Sequence, residues 1–278
     1  MSGEYTVEWL CEALLVSSSG YYAWLKRCVN PGARAKANAE LKQRIHEEYE
    51  RSNRTYGSPR ITRALGPGIG RNRVARLMRE EQIHVRQRSK FRKATTQSGH
   101  KDPIAPNLLP EKEITGRDQA WATDATAVLT GEGWLYIVAF IDLWSRKIVG
   151  WAMHDHLDAP LVIRALRMAL EQRKPAPGLM VHSDRGAQFA SAAFREVLAR
   201  NQCVASMSRK GNCYDNAFIE SFWSSLKYEV VYLQRFRTKA DARTAIFKYI
   251  ETFYNRRRLH SSLGYQNPVQ LSHTITKS

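Results

Sequence analysis

Residues 120–142 read AWATDATAVLTGEGWLYIVAFID, and residues 146–154 continue as RKIVGWAMH. β-Branched and aromatic residues crowd three short runs, 120–129, 133–142 and 146–154, separated by connections that contain Gly131, Gly133 or Ser145. This pattern predicts three adjacent antiparallel strands. Beyond them the chain alternates. A helical run at 159–172 is followed by the short strand GLMVHSD (178–184), a helix near 191–201, the short strand CVASMS (203–208) and a helix opening at NAFIESFWSSLKYE (216–229). The order β-β-β-α-β-α-β-α predicts an α/β fold: a mixed five-stranded sheet with flanking helices.

On the 216–229 helix, Phe218, Ile219, Phe222 and Leu226 share one apolar arc, expected to be buried, while Glu220 and Lys227 lie on the opposite side. Seven helical residues turn through about 700°, so Lys227 sits about 20° from Glu220 and about 10.5 Å further along the axis. Asp124 falls within the first strand and Asp184 just after the fourth. In an open α/β sheet both would face the crevice at the carboxyl ends of the strands, with Glu220 entering from the helix after strand five. Three clustered carboxylates raise one another's pKa unless positive charge joins them. Mg²⁺, with its preference for hard oxygen ligands, fits that need. Two such ions about 3.5–4 Å apart would serve an in-line phosphoryl displacement. Lys227 is then placed to hold a DNA phosphate. Asp142 is left outside the site, as a partner for Arg146 across a tight turn, and His154 and His156 read as exposed loop histidines.

Upstream, residues 6–27 and 35–51 read as short helices flanking Asn30-Pro31-Gly32. YGSPRITRALGPGIGRNRVARLMREE (56–81) has two helical patterns around a Gly-Pro-Gly turn, a helix-turn-helix. Its second helix would bury Val74, Leu77 and Met78 and present Arg71, Arg73, Arg76 and Arg79, either to DNA or simply to solvent. HVRQRSKFRKATTQSGHK (84–101) has six Lys or Arg and no acid. It reads as a basic linker whose Arg86, Arg88, Arg92 and Lys93 contact phosphates. A last long helix, 239–255, ends in NRRRLHSSLGYQNP, where Arg256 and Arg257 either touch DNA or complement the helix dipole. The expected organisation is an N-terminal helical region (1–55), a helix-turn-helix region (56–83), a basic linker (84–114) and a catalytic core with a basic tail (115–278).

With 43 Lys plus Arg against 26 Asp plus Glu, the formal net charge is +17, and 43% of residues are hydrophobic. That balance suits a foldable protein with a polyanionic partner. Cys11, Cys28, Cys203 and Cys213 form no C-x-x-C pair and read as reduced thiols. Glu4, Glu8 and Glu12 exclude a secretory signal, and the apolar run from Trp134 to Ile141 is too short to span a membrane. A soluble cytoplasmic protein is expected.

WATDAT, HSDRGAQF and NAFIESFWSSLKYE, with 35 residues between Asp184 and Glu220, resemble the DDE signature of insertion-sequence transposases in the retroviral-integrase superfamily. YYAWLKR, YGSPRI, RVARLMREE and YNRRRLHSSLGYQNP resemble the flanking segments of the second-frame product of two-reading-frame bacterial transposases. The resemblance implies a ribonuclease-H-like core, Asp124, Asp184 and Glu220 as catalytic ligands of Mg²⁺ or Mn²⁺, and Lys227 as a DNA contact. It also implies 3′-end cleavage at terminal inverted repeats and strand transfer by the freed 3′-hydroxyl, with no covalent protein–DNA intermediate. Homo-oligomers on DNA, and a frameshift fusion to an upstream-frame protein, belong to the same expectation. The GPGIG turn is shorter than in related sequences, which leaves the role of the helix-turn-helix open. Two other readings remain: a catalytically silent DNA-binding regulator of the element, and a simple ribonuclease-H-type nuclease.

Overall fold

The structure, a computed structural model, describes residues 5–85, 102–209 and 216–274. It forms two compact units divided near residue 86.

The first unit is all helical. Thr6 caps α1 (Val7–Ala13) by accepting from the Trp9 N–H, and Ser17 caps α2 (Ser18–Val29) by accepting from the Gly20 N–H. The expected single helix over 6–27 is therefore two. Leu15 turns the chain at φ 54°, and Ser17 offers the oxygen that starts a new helix. After Pro31-Gly32, α3 (Ala33–Arg51) packs against α4 (Ser58–Leu65) and α5 (Arg71–Glu80). Leu41 and Ile45, Ile61 and Leu65, and Val74, Leu77 and Met78 form their common core. Gly66 and Gly68, at φ 93° and 86°, make the turn between α4 and α5 in a region that side chains disfavour.

In the second unit the hairpin read from residues 120–142 forms as expected. β1 (Ala120–Thr130) pairs antiparallel with β2 (Gly133–Asp142), which pairs antiparallel with β3 (Ile148–His154). β4 (Met180–Ser183) lies parallel to β1, and β5 (Val204–Met207) parallel to β4, giving the order β3-β2-β1-β4-β5. Trp121, Val138, Phe140, Val149, Leu179 and Val181 pack with Leu161, Val162 and Leu166 of α6 (Ala159–Arg173), with Phe189 of α7 (Ala187–Ala190) and with Phe194 and Leu198 of α8 (Ala192–Arg200). Gly150 lets β3 pass against α6. A Cβ there would lie 2.5 Å from the Ala165 carbonyl oxygen and 2.6 Å from the Ala169 nitrogen.

α9 (Ala217–Glu229) and α10 (Lys239–Lys248) contact β1 and β2. The expected long helix at 239–255 changes character. It continues from α10 as a π-helical segment, Tyr249–Tyr254, before α11 (Pro268–Thr274). The wider π turn buries Tyr249, Ile250, Phe253 and Tyr254 together. Among the described residues no helix is long and apolar enough to cross a membrane.

Candidate active site

On the parallel pair β1 and β4, Ala122 stands opposite His182. Two residues further along come Asp124, still within β1, where a step of two keeps the same face, and Asp184, the residue directly after β4. The alternate positions Trp121 and Ala125, and Leu179 and Val181, belong to the cluster under α6 and α8. Asp124 therefore faces the other side of the sheet, where α9 packs on β1 and β2, and the charges of Asp184 and Glu220 both reach its carboxylate. α9 carries Glu220, Trp223 and Lys227 within an arc of about 60°.

Each aspartate is partly buried and held by backbone. Asp124 Oδ1 accepts from the Ala125 N–H at 2.7 Å, and Asp184 Oδ1 from the Gly186 N–H at 2.9 Å. Burial raises the Asp124 pKa from 3.8 to about 7, with the charges of Asp184 and Glu220 adding to the rise and the Ala125 N–H opposing it. Burial lowers the pKa of half-buried Lys227, and the charge of Asp124 opposes that shift. Asp124 thus senses Asp184 from the neighbouring strand and both Glu220 and Lys227 from α9. Among the described residues, no three His, Cys, Asp or Glu side chains form a ready-made metal cage. The donor set nevertheless suits a hard dication: all its ligating atoms are oxygen, and the crowded negative charge is otherwise relieved by protonating Asp124.

Three expectations are corrected. Phe218 lies outside the apolar core, 37% exposed, because its ring carries the Arg146 guanidinium 3.6 Å from its centroid. Asp142 is not the partner of that guanidinium. Its carboxylate accepts from the backbone N–H of Asp118 and of Ser145, and from the Ser145 hydroxyl. His154 is half-buried at the end of β3 rather than exposed in a loop, its ring edge-on to exposed His156.

The basic candidates separate in the same way. Arg71, Arg76 and Arg79 are exposed on α5, with Arg76 ion-paired to Glu80. Arg73 is half-buried and donates twice to Asn38 Oδ1 of α3, at 3.0 and 2.8 Å. Arg256 and Arg257 are exposed after the π turn. Arg86, Arg88, Arg92 and Lys93 lie outside the described residues.

Sequence reading missed the support under α9. Arg258 donates to both oxygens of Glu229 at 2.8–3.0 Å and to Ser225 Oγ at 3.0 Å, and the Tyr249 hydroxyl donates to Glu229 at 2.8 Å. Residues 29 apart give no local signal of such a pair. Trp223 was also missed, although its position three residues after Glu220 places it beside the functional face.

The integrase core domain family matches residues 115–213 and, in a second profile, 201–268, while an HTH-like domain matches residues 36–91 and implies DNA binding. The chain is 42% identical over 264 residues to the insertion element IS600 uncharacterized 31 kDa protein of Shigella sonnei, covering 94% of this chain and 96% of that one. It is 38% identical over 271 residues to the transposase InsF for insertion sequence IS3A of Escherichia coli strain K12, covering 96% and 94%. Among solved structures, the HTLV-2 integrase catalytic core domain in complex with magnesium is similar at a TM-score of 0.47 and 17% identity, over 58% of this chain and all of that one. With an integrase core, an HTH-like domain and these relatives along nearly its full length, the chain belongs to the insertion-sequence transposase family that includes InsF of IS3.

Proposed function

We propose that this transposase cleaves the 3′ ends of its element at the terminal inverted repeats and transfers them to target DNA, with Asp124, Asp184 and Glu220 as its catalytic triad. The observation that carries this reading is the placement of Asp124 on β1, two residues past the Ala122–His182 pair, with Asp184 directly after β4 and the helix that carries Glu220 packed on β1. The three side chains would hold Mg²⁺ or Mn²⁺, two ions per site, which when bound activate the attacking oxygen and stabilise the leaving one. Asp124 stands on β1 and Asp184 directly after β4, so the backbone positions of both rest on paired strands. In the first step water attacks the phosphodiester and the element's 3′-hydroxyl leaves; in the second that hydroxyl attacks a target phosphodiester and displaces a target 3′-oxygen. Lys227, half-desolvated and beside Asp124, holds a non-bridging phosphate oxygen.

DNA reaches the site through sequence-independent phosphate contacts along the linker, at Arg86, Arg88, Arg92 and Lys93, together with Arg256 and Arg257. The exposed arginines of α5, Arg71 and Arg76 foremost, make further contacts. Arg73 serves chiefly to hold α5 to α3. The proposed organisation keeps a helical region (1–55), a helix-turn-helix (56–83), a linker (84–114) and a core with tail (115–278). Bringing two element ends together calls for a homo-oligomer on DNA in the bacterial cytoplasm, with the upstream-frame fusion supplying end recognition.

Single replacement of Asp124, Asp184 or Glu220 by alanine should abolish Mg²⁺-dependent cleavage and joining of a labelled element end while DNA binding persists. Retained joining in any of the three rejects the triad. A wild-type fusion that binds its ends but never reacts would instead support a silent regulator, and cleavage of RNA–DNA hybrids without joining would support a simple nuclease.

A further inference from the structure

Trp223 is buried, 5% exposed, and its indole Nε1–H finds no hydrogen-bond partner among the described residues. Leaving a buried N–H unmatched is costly, so its retention in a core position calls for a partner in another state of the site. Its surroundings identify that partner. Trp223 lies on α9 between Glu220 and Lys227, three residues after one and four before the other, at the inner edge of the face they share. The ring lies tilted against the Phe222 ring, 4.7 Å between centroids and 49° between planes, and its N–H is enclosed with it. β1, against which α9 packs, brings Asp124 to that face. The N–H is near enough to draw the Asp124 pKa downward, yet stands outside hydrogen-bond geometry.

We propose that Trp223 is a positioning residue: its indole N–H closes onto the Asp124 carboxylate when the site is loaded, and fixes the rotation of that ligand. This inference rests on the triad reading above. One Asp124 oxygen already accepts from the Ala125 N–H. A second donor at the carboxylate would leave one set of lone pairs directed at the cation, the way an outer partner orients a metal ligand. An indole suits this better than a hydroxyl or amine, because it donates one proton in a fixed direction and offers no competing acceptor.

The test is Mn²⁺ binding to the full chain, measured by calorimetry at one fixed pH, for wild type, Trp223→Phe, Trp223→Leu and Asp124→Asn, with the melting temperature of each. The expected result is a roughly tenfold or greater loss of Mn²⁺ affinity in both Trp223 variants. Trp223→Phe should keep the wild-type melting temperature, and saturating Mn²⁺ should restore its strand-transfer rate. Wild-type affinity in Trp223→Phe, with Asp124→Asn unable to bind, overturns the role of Trp223 and leaves the triad standing. Loss in Trp223→Leu alone assigns the effect to packing and also overturns it. Undiminished binding in Asp124→Asn rejects the triad reading itself.

Discussion

Arg258 and Glu229 bury each other, with side-chain exposures of 4% and 2%, at the C-terminal end of the helix that carries Glu220 and Lys227. Glu229 also accepts from the Tyr249 hydroxyl, so its carboxylate is saturated by partners drawn from beyond α9. Arg258→Met should leave a desolvated carboxylate uncompensated and cost about 3–5 kcal/mol in denaturant unfolding. Replacing both partners, Glu229→Gln with Arg258→Met, should recover most of that loss. A single-variant cost below about 1 kcal/mol would show that the pair does not anchor α9.

Asp124 gives the unloaded protein a distinct pH dependence. Its pKa is about 7 in the fold against an ordinary 3.8, so between those values the folded state holds a proton that the unfolded chain has released. The stability contributed by this group is complete below pH 3.8 and is lost as pH rises through about 7. The shift corresponds to at most about 4 kcal/mol. Without divalent metal, Asp124→Asn should therefore gain stability relative to wild type as pH increases from about 5 to about 8. Unfolding curves at several pH values check this, and a wild-type-to-variant difference that stays flat would contradict it.

Metal binding should show the same proton from the other side. A dication must displace it, so apparent Mg²⁺ affinity should rise about tenfold per pH unit below about pH 7 and level off above. Calorimetry in buffers of different ionisation enthalpy would report release of about one proton near pH 6. Absence of proton release would place the metal away from Asp124.

At Gly150 the obstacle to any side chain is α6 itself, including the Ala165 carbonyl oxygen and the Ala169 backbone nitrogen. Neither can rotate away. Gly150→Ala should push β3 from α6 and cost about 1–3 kcal/mol, whereas Gly178→Ala, which meets no neighbour but sits at φ 88°, should cost only the backbone strain of about 1 kcal/mol. Equal effects at the two glycines would rule out the steric explanation.

On α5, DNA contact and internal bracing should separate cleanly. Replacing Arg71, Arg76 and Arg79 with alanine should flatten the salt dependence of DNA binding by about 0.9 in log–log slope for each phosphate that is no longer neutralised. Arg73→Ala should leave the slope unchanged and lower stability by about 1 kcal/mol, because its donors serve Asn38. A change in slope for Arg73→Ala would reassign it to DNA.

Local pattern carried the sheet and most of the helices. The run from Ala120 to Asp142 is dense in strand formers and has glycines where the hairpin turns, so composition and geometry agree. The face of α9 bearing Glu220 was equally visible, since the helical period of about 3.6 separates it from Ile219, Phe222 and Leu226. The failures share a cause. Phe218 satisfies the same period, but Arg146 from the β2–β3 turn covers its ring. The Arg258–Glu229 pair and the unmatched Trp223 N–H likewise depend on tertiary neighbours that helical spacing does not encode. Ser17 was legible in principle, as an N-cap four residues after α1 ends, but the largely apolar character of residues 9–16 masked the break.

The most direct measurement is cleavage of the protein itself by bound Fe²⁺ in place of Mg²⁺, using ascorbate and peroxide and mapping the fragments. Cuts within a few residues of Asp124, Asp184 and Glu220, suppressed by excess Mg²⁺ and lost in Asp124→Asn, are the expected result. Cuts confined elsewhere, for example beside His154 and His156, or a pattern unchanged in Asp124→Asn, would contradict a metal centre shared by those three carboxylates.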